Sequence, residues 1–229
     1  MTALPSGWAL LVIDMQNDFL DKGGYYARRS VLEERPDWAT LLPDRQLKLL
    51  DETDPHVPLG SRTEGVERVV GNTCTAISMA RKAGRPIAFI RAVYGRSFDV
   101  IPPLLANAPD RQHFPCKKDS WGSAFFGAIR NTIEEGSKAT ERVIEKHTYD
   151  AFSAPSLTGF LQEHQVSAAV ICGTDTSICV LASAQHAALL GYQTFVVEDA
   201  VWSADAATAD AALSIFRSAY GQILKTADL

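Results

Sequence analysis

The sequence predicts an α/β fold in three layers, a mostly parallel sheet with helices on both faces, and three observations carry that prediction. Short aliphatic and β-branched runs recur along the chain, helix-period segments separate them, and glycine stands where two of those segments stop. Near-continuous apolar runs of this length suit strands covered on both faces.

Taken in order, the first run is "ALLVID" (9–14), which ends on a carboxylate. Next comes "DKGGYYARRSVLEERPDWATLLPDRQLKLLDETDPHVPLGSR" (21–62), charged, with Pro36, Pro43, Pro55 and Pro58, and far longer than an ordinary strand-to-helix connection. It reads as a lid, an oligomer arm or a solvated surface excursion. The period then turns helical over 64–84 and gives way to "PIAFIRA" (86–92) and "RVIEK" (142–146). A helix over 156–164 leads to "AAVICG" (168–173), a helix over 177–191 leads to "TFVVED" (194–199), and a last helix covers 205–220. Gly84 and Gly191 stand where a helix end wants a residue that tolerates left-handed φ.

At 229 residues the chain is long enough for one well-buried α/β domain, and residues 1–229 are expected to form a single domain carrying the 21–62 insertion. Net charge is −5, with 46% apolar and 21% charged residues, so no broad basic field offers itself to nucleic acid and a small-molecule partner is expected. The start, "MTALPSGWALLVIDMQNDF", has no basic leader region, and "WALLVI" is too short for a signal core or a membrane span. A cytoplasmic protein that binds no membrane is the expectation. Cys74, Cys116, Cys172 and Cys179 have neither CxxC spacing nor a histidine at metal-site spacing, so they read as free thiols. No metal site is expected from the five histidines either; His164 and His186 read as ordinary helix residues.

The parallel sheet gives chemical meaning to particular positions. Ligands of open α/β sheets bind beyond the carboxyl ends of the strands, where Asp14, Lys146 and the turn Gly173 to Cys179 all fall. In "VICGTDTSICV" (170–180), a Thr176 or Ser177 cap would set Cys179 in the first turn of a helix, where unpaired N–H groups and the positive dipole end lower a thiol pKa. The same N–H groups could converge on an oxyanion. A small inward-facing Cys can equally well fill the core. Asp14 and Asp18 lie four apart in "DMQNDF" and could share one side of a following helix; Asp14 could also simply cap it. Lys146 would be the cation facing Asp14. Trp121, Phe125 and Phe126 in "DSWGSAFF" could form an apolar wall, and Arg28 and Arg29 could bind a substrate carboxylate.

Three stretches in this order, "LLVIDMQNDF", "EKHTYDAFSAPSL" and "CGTDTSICVLASAQHAALLGYQTFVVEDA", resemble the isochorismatase-like cysteine hydrolase superfamily from about residue 8 to the C-terminus, with 21–62 outside the likeness. The resemblance implies a six-stranded parallel sheet and a catalytic triad of Asp14, Lys146 and Cys179. It also implies a non-proline cis peptide at Thr174–Asp175 that turns the backbone N–H groups of Asp175 and Cys179 toward a substrate oxygen. The activity implied is hydrolysis of a non-peptide C–N bond in a small amide, ureido or carbamoyl compound through a Cys179 thioester, with no cofactor and in a homodimer or homotetramer. Trp121, Phe152 and Arg28 are the expected substrate contacts.

Three departures bear on the likeness. Asp175 replaces a small apolar residue, so its charge could oppose a thiolate or bind a donor on the substrate. Asp150 and Pro155 stand where relatives often have Ser and Thr, which affects contacts near Phe152. The Asp-x-His metal motif of the nicotinamidase branch is absent from "VYGRSFDV" (93–100), which disfavours metal assistance. Two other functions remain on the same fold: hydrolysis of an isochorismate-like vinyl ether, which does not need the thiol, and non-catalytic binding of a small molecule.

Overall fold

A computed structural model describes residues 4–27, 37, 61–95 and 115–229. Six strands form one sheet in the order β3-β2-β1-β4-β5-β6, all neighbours parallel. The strands are β1 (Trp8–Ile13), β2 (Ile87–Ala92), β3 (Glu141–Lys146), β4 (Ala168–Thr174), β5 (Gln193–Trp202) and β6 (Gln222–Leu224). The longer helices are α2 (Ser61–Lys82), α3 (Gly127–Glu134), α4 (Pro155–Glu163), α5 (Leu181–Leu189) and α6 (Ala206–Ala219), preceded by the single turn α1 (Asn17–Leu20).

Alternation along β1 divides the core. Trp8, Leu10 and Val12 pack with α2 and Ile129 of α3, whereas Ala9, Leu11 and Ile13 pack with Leu157 and Phe160 of α4, Ala184 of α5 and Phe216 of α6. All six residues of β1 are buried, as a strand covered on both sides must be, and the order reverses direction at β1, where β2 and β4 flank it. That reversal opens the crevice at the carboxyl ends of β1 and β4.

The five expected strands are present, with β5 running on to Trp202. The sixth, "QIL", is too short to register as an apolar run and is recruited by pairing with β5. Helix α3 adds to the helices the sequence predicts; half of "GAIRNTIE" is polar, and it buries Ile129 alone. Helix α2 starts at Ser61, inside the expected insertion, and ends at Lys82, with Gly84 beyond it at φ 64°; Gly191 follows α5 at φ 92°. Of the insertion, 21–27 and 37 are described, with Tyr25 and Ala27 buried, and the rest, including Arg28, Arg29 and His56, lies outside the described residues. His113 and residues 96–100 of "VYGRSFDV" lie outside them as well.

Candidate active site

Asp14 follows β1 directly, with φ 48° and its N–H donating to the Ile90 carbonyl of β2 at 2.9 Å. Lys146 is the last residue of β3, one strand beyond β2. Its side chain reaches Asp14, with Nζ to Oδ2 at 2.7 Å, and both side chains are wholly buried. The contact lies off the direction of a well-formed hydrogen bond, and neither Asp14 oxygen has a well-directed partner among the described residues. Nζ also donates to the carbonyls of Thr148 at 3.0 Å and Tyr149 at 2.8 Å, so three oxygens surround one ammonium.

Gln16 fixes the turn after β1. Its amide exchanges two hydrogen bonds with the Ala92 backbone at the end of β2 and donates to the Ser123 carbonyl, each at 2.8 Å. Asp18 does not join Asp14. Its carboxylate accepts from the backbone N–H of Tyr25 at 3.0 Å and of Cys116 at 2.6 Å and so clamps two loops.

On the other side of β1, Gly173 in β4 has φ 117°, and a Cβ there would stand 2.0 Å from the Ile13 carbonyl oxygen. Only glycine lets β4 come this close as it leaves the sheet. The Thr174–Asp175 peptide is cis. The residue that caps the next turn is Asp175, in place of the expected Thr176 or Ser177. Its Oδ1 accepts from the Ser177 N–H at 2.8 Å, the Ser177 hydroxyl at 2.7 Å and the Ser203 hydroxyl at 2.5 Å. This oxygen is therefore committed to holding the turn together. The turn itself, Thr176–Val180, is a single π-helical turn that continues into α5, and the Val180 N–H donates to the Asp175 carbonyl at 3.0 Å. The backbone N–H of Asp175 makes no hydrogen bond among the described residues.

Cys179 lies in this turn, 3% exposed, and its thiol interacts with both Asp14 and Lys146. The expectation of a depressed thiol pKa is corrected here: burial, the largest influence, pushes the Cys179 thiol well above its usual range, and Asp14 adds to this while Lys146 opposes it. Burial likewise raises the Asp14 carboxyl, against Lys146. Burial alone would favour a neutral Lys146 amine, yet Asp14 and Cys179 hold the ammonium, whose pKa is raised overall. The three groups thus form one closed charge system. A proton passing from the thiol to the carboxylate leaves its net charge unchanged.

A cavity of about 70 Å³ opens onto Cys179 and Asp175. Phe19, Tyr26, Tyr94, Tyr149, Ile178 and Trp202 form its walls, together with Thr174 and Ala204. Tyr94 lies just past the end of β2, Tyr149 just past Lys146, and Trp202 ends β5, so the rule that placed Asp14 and Lys146 could have found them. Of the expected substrate contacts, Trp121 is 56% exposed and Phe152 packs between His186 and Tyr192, with ring centroids at 5.6 and 5.8 Å; neither lines the cavity. Phe152 turns into the core because Asp150 caps its short helix, accepting from the Phe152 N–H at 2.9 Å. The other Asp150 oxygen meets His186 Nδ1 at 2.6 Å, which ties the loop after β3 to α5. Pro155 takes the first position of α4, where a missing N–H costs nothing. All four cysteines are free. Among the described residues there is no group of three or more His, Cys, Asp or Glu side chains that could hold a metal ion, and no helix long and apolar enough to cross a membrane.

A family model described as Isochorismatase domain matches residues 8–228. Over 177 residues the chain is 34% identical to a maleamate amidohydrolase of Pseudomonas putida, covering 77% of this chain and 78% of that one. Among solved structures it resembles a nicotinamidase from Bacillus subtilis, with TM-score 0.71 and 21% identity over 96% of this chain and 99% of the other. It also resembles an N-carbamoylsarcosine amidase from Thermoplasma acidophilum, with TM-score 0.64 and 23% identity over 96% of each chain.

Proposed function

Given that the chain belongs to the isochorismatase family, we propose that it is a cysteine amidohydrolase that cleaves a non-peptide C–N bond in a small amide, ureido or carbamoyl compound. The observation that carries this reading is the buried convergence of Asp14, Lys146 and Cys179 at the strand ends, beside the Asp175 backbone N–H, which has no partner among the described residues. The proposal takes residues 1–229 as one hydrolase domain that works as a homodimer or homotetramer.

In the reaction, the Asp14 carboxylate takes the proton of the Cys179 thiol. Because burial raises both groups, the proton passes between acids less mismatched than a free carboxylate and a lone buried thiol. The sulfur attacks the carbonyl carbon, and the N–H groups of Asp175 and Cys179 receive the negative oxygen. As the C–N bond breaks, protonated Asp14 delivers its proton to the departing nitrogen and a thioester remains on Cys179. Asp14, again a carboxylate, removes a proton from water as the water attacks the thioester; the acid product leaves and the thiol is restored. Lys146 stays protonated throughout and keeps the carboxylate form of Asp14 accessible despite its burial. The absence of the Asp-x-His motif after β2 supports turnover without a metal.

The test is ammonia release from a panel of amide, ureido and carbamoyl compounds, with wild type and Cys179→Ala compared in the presence and absence of a chelator. The expected result is turnover that survives chelation and vanishes in the variant. Full activity in Cys179→Ala would sink the proposal.

A further inference from the structure

Lys146 is aimed less by Asp14 than by the loop behind it. Its contact with Asp14 lies off the direction of a well-formed hydrogen bond, whereas the Thr148 and Tyr149 carbonyls accept well-formed hydrogen bonds from Nζ at 3.0 and 2.8 Å. The loop that carries those carbonyls is stitched into one piece. The Asp150 N–H donates to Thr148 Oγ1 at 3.2 Å, the Thr148 hydroxyl donates to Ser153 Oγ at 2.8 Å, and the Ser153 hydroxyl donates to the Asp150 carbonyl at 2.6 Å. Asp150 Oδ1 adds the bond from the Phe152 N–H. Whatever fixes residues 148–153 therefore also fixes the ammonium.

Two side chains of α5 do the fixing. Ser183 is wholly buried; its Oγ accepts from the Ala151 N–H at 2.9 Å and donates to the Cys179 carbonyl at 2.7 Å. Farther along the helix, His186 Nδ1 meets Asp150 Oδ2 at 2.6 Å. Spacings of four and three residues put positions 179, 183 and 186 on one helix face. A helical serine often bonds back to the carbonyl four residues before it, and such a bond alone has only local meaning. Here the same hydroxyl also takes an N–H from a loop 32 positions away in the chain, so one oxygen joins the turn that carries the thiol to the loop that holds the ammonium. Removing that oxygen strands the donor of Ala151, a residue with no exposure to water, and releases one side of the loop.

We propose that Ser183 is a positioning residue for the reaction: it fixes where the Lys146 ammonium stands relative to Asp14 and Cys179, with the Asp150–His186 contact as a second tie on the same loop. This rests on the amidohydrolase reading above and adds a residue that stands outside the cavity. Its loss should therefore be felt chiefly in the chemical step and little in substrate binding.

The experiment measures kcat and KM per folded enzyme for wild type, Ser183→Ala, Ser183→Thr and His186→Ala, on whichever amide, ureido or carbamoyl compound wild type cleaves best. Ser183→Ala should lower kcat by about tenfold with KM within about twofold, and Ser183→Thr, which keeps the hydroxyl, should restore most of the rate. The acid limb of kcat/KM should move to higher pH in Ser183→Ala, because Asp14, faced by Lys146 and Cys179, loses part of the cation that opposes its burial. A merely structural serine would lower the melting temperature and leave both kcat and the acid limb in place, and that result would overturn the proposal while the amidohydrolase reading stood. Should Ser183→Ala fail to fold, the half-exposed His186→Ala decides: a loss in kcat at unchanged KM upholds the loop tie, and an unchanged kcat overturns it. If wild type cleaves no compound, the amidohydrolase reading loses support, and Ser183 is judged by the rate at which iodoacetamide alkylates Cys179, followed by mass spectrometry. Slower alkylation in Ser183→Ala, restored in Ser183→Thr, upholds the positioning role; an equal or faster rate overturns it.

Discussion

Replacing Lys146 with methionine removes the cation while keeping the length of the chain. Asp14 would then be a fully buried carboxylate with no counter-charge and no well-directed hydrogen bond, and the Thr148 and Tyr149 carbonyls would lose their donor. Breaking a buried pair from one side costs about 3–5 kcal/mol, which for a chain of this size lowers the melting temperature by about 6–20 °C. The sign of the pH dependence follows from Asp14. A carboxyl whose folded-state pKa is raised contributes stability that is present below its unfolded value and lost as pH rises through the folded one. With Lys146 gone this effect is larger, so Lys146→Met should be closest to wild type in acid and farthest from it at neutral pH. Asp14→Asn added to Lys146→Met removes the stranded charge and should recover part of the loss. Urea unfolding of wild type, single and double variants at acid and neutral pH measures this. A single variant within about 1 kcal/mol of wild type at neutral pH, or a double variant less stable than the single, would refute the reasoning.

Two further outcomes follow from the geometry. Gly173→Ala would force a Cβ to 2.0 Å from the Ile13 carbonyl oxygen at φ 117°, so it should yield little folded protein or a melting temperature well below that of Lys146→Met; a melt near wild type would contradict the close approach of β4 to β1. Stability should also fall on the alkaline side, because burial pushes Cys172 up to about 12 and raises Cys116, Cys179, Tyr26 and Tyr94 as well. Each such group contributes stability that is whole below its unfolded pKa and lost above it, at about 1.4 kcal/mol per pH unit per group. Unfolding free energy should therefore drop from pH 8 toward pH 11, and a flat profile would show that these groups are not buried as described.

Much of the site was legible in the sequence for a physical reason. Asp14, Lys146 and the turn to Cys179 each stand at the carboxyl end of a strand, and strand ends of a parallel sheet face one crevice whatever lies between them in the chain. Sequence position could not show that burial raises the Cys179 thiol, since burial depends on how distant segments pack around it. For the same reason the sequence points to Phe152 and Trp121 as substrate contacts and not to Tyr94 or Trp202: aromatic residues a few positions apart can face core, solvent or cavity, and tertiary contacts decide among these. In the sequence, Asp175 is a charge with two possible effects on chemistry. One of its oxygens is instead occupied by Ser177 and by Ser203, a residue 28 positions away. Strand β6 leaves no signal in the sequence because three residues carry no period of their own.

The central claim is that the reaction passes through an acyl group on Cys179, and partitioning of that group tests it most directly. Two substrates are used that share one acyl part and release either ammonia or methylamine, with hydroxylamine present at a fixed concentration. A common thioester predicts the same ratio of hydroxamate to acid from both, because the leaving amine has departed before the choice is made. A ratio that changes with the leaving amine would contradict the account, since water and hydroxylamine would then be attacking the substrate itself.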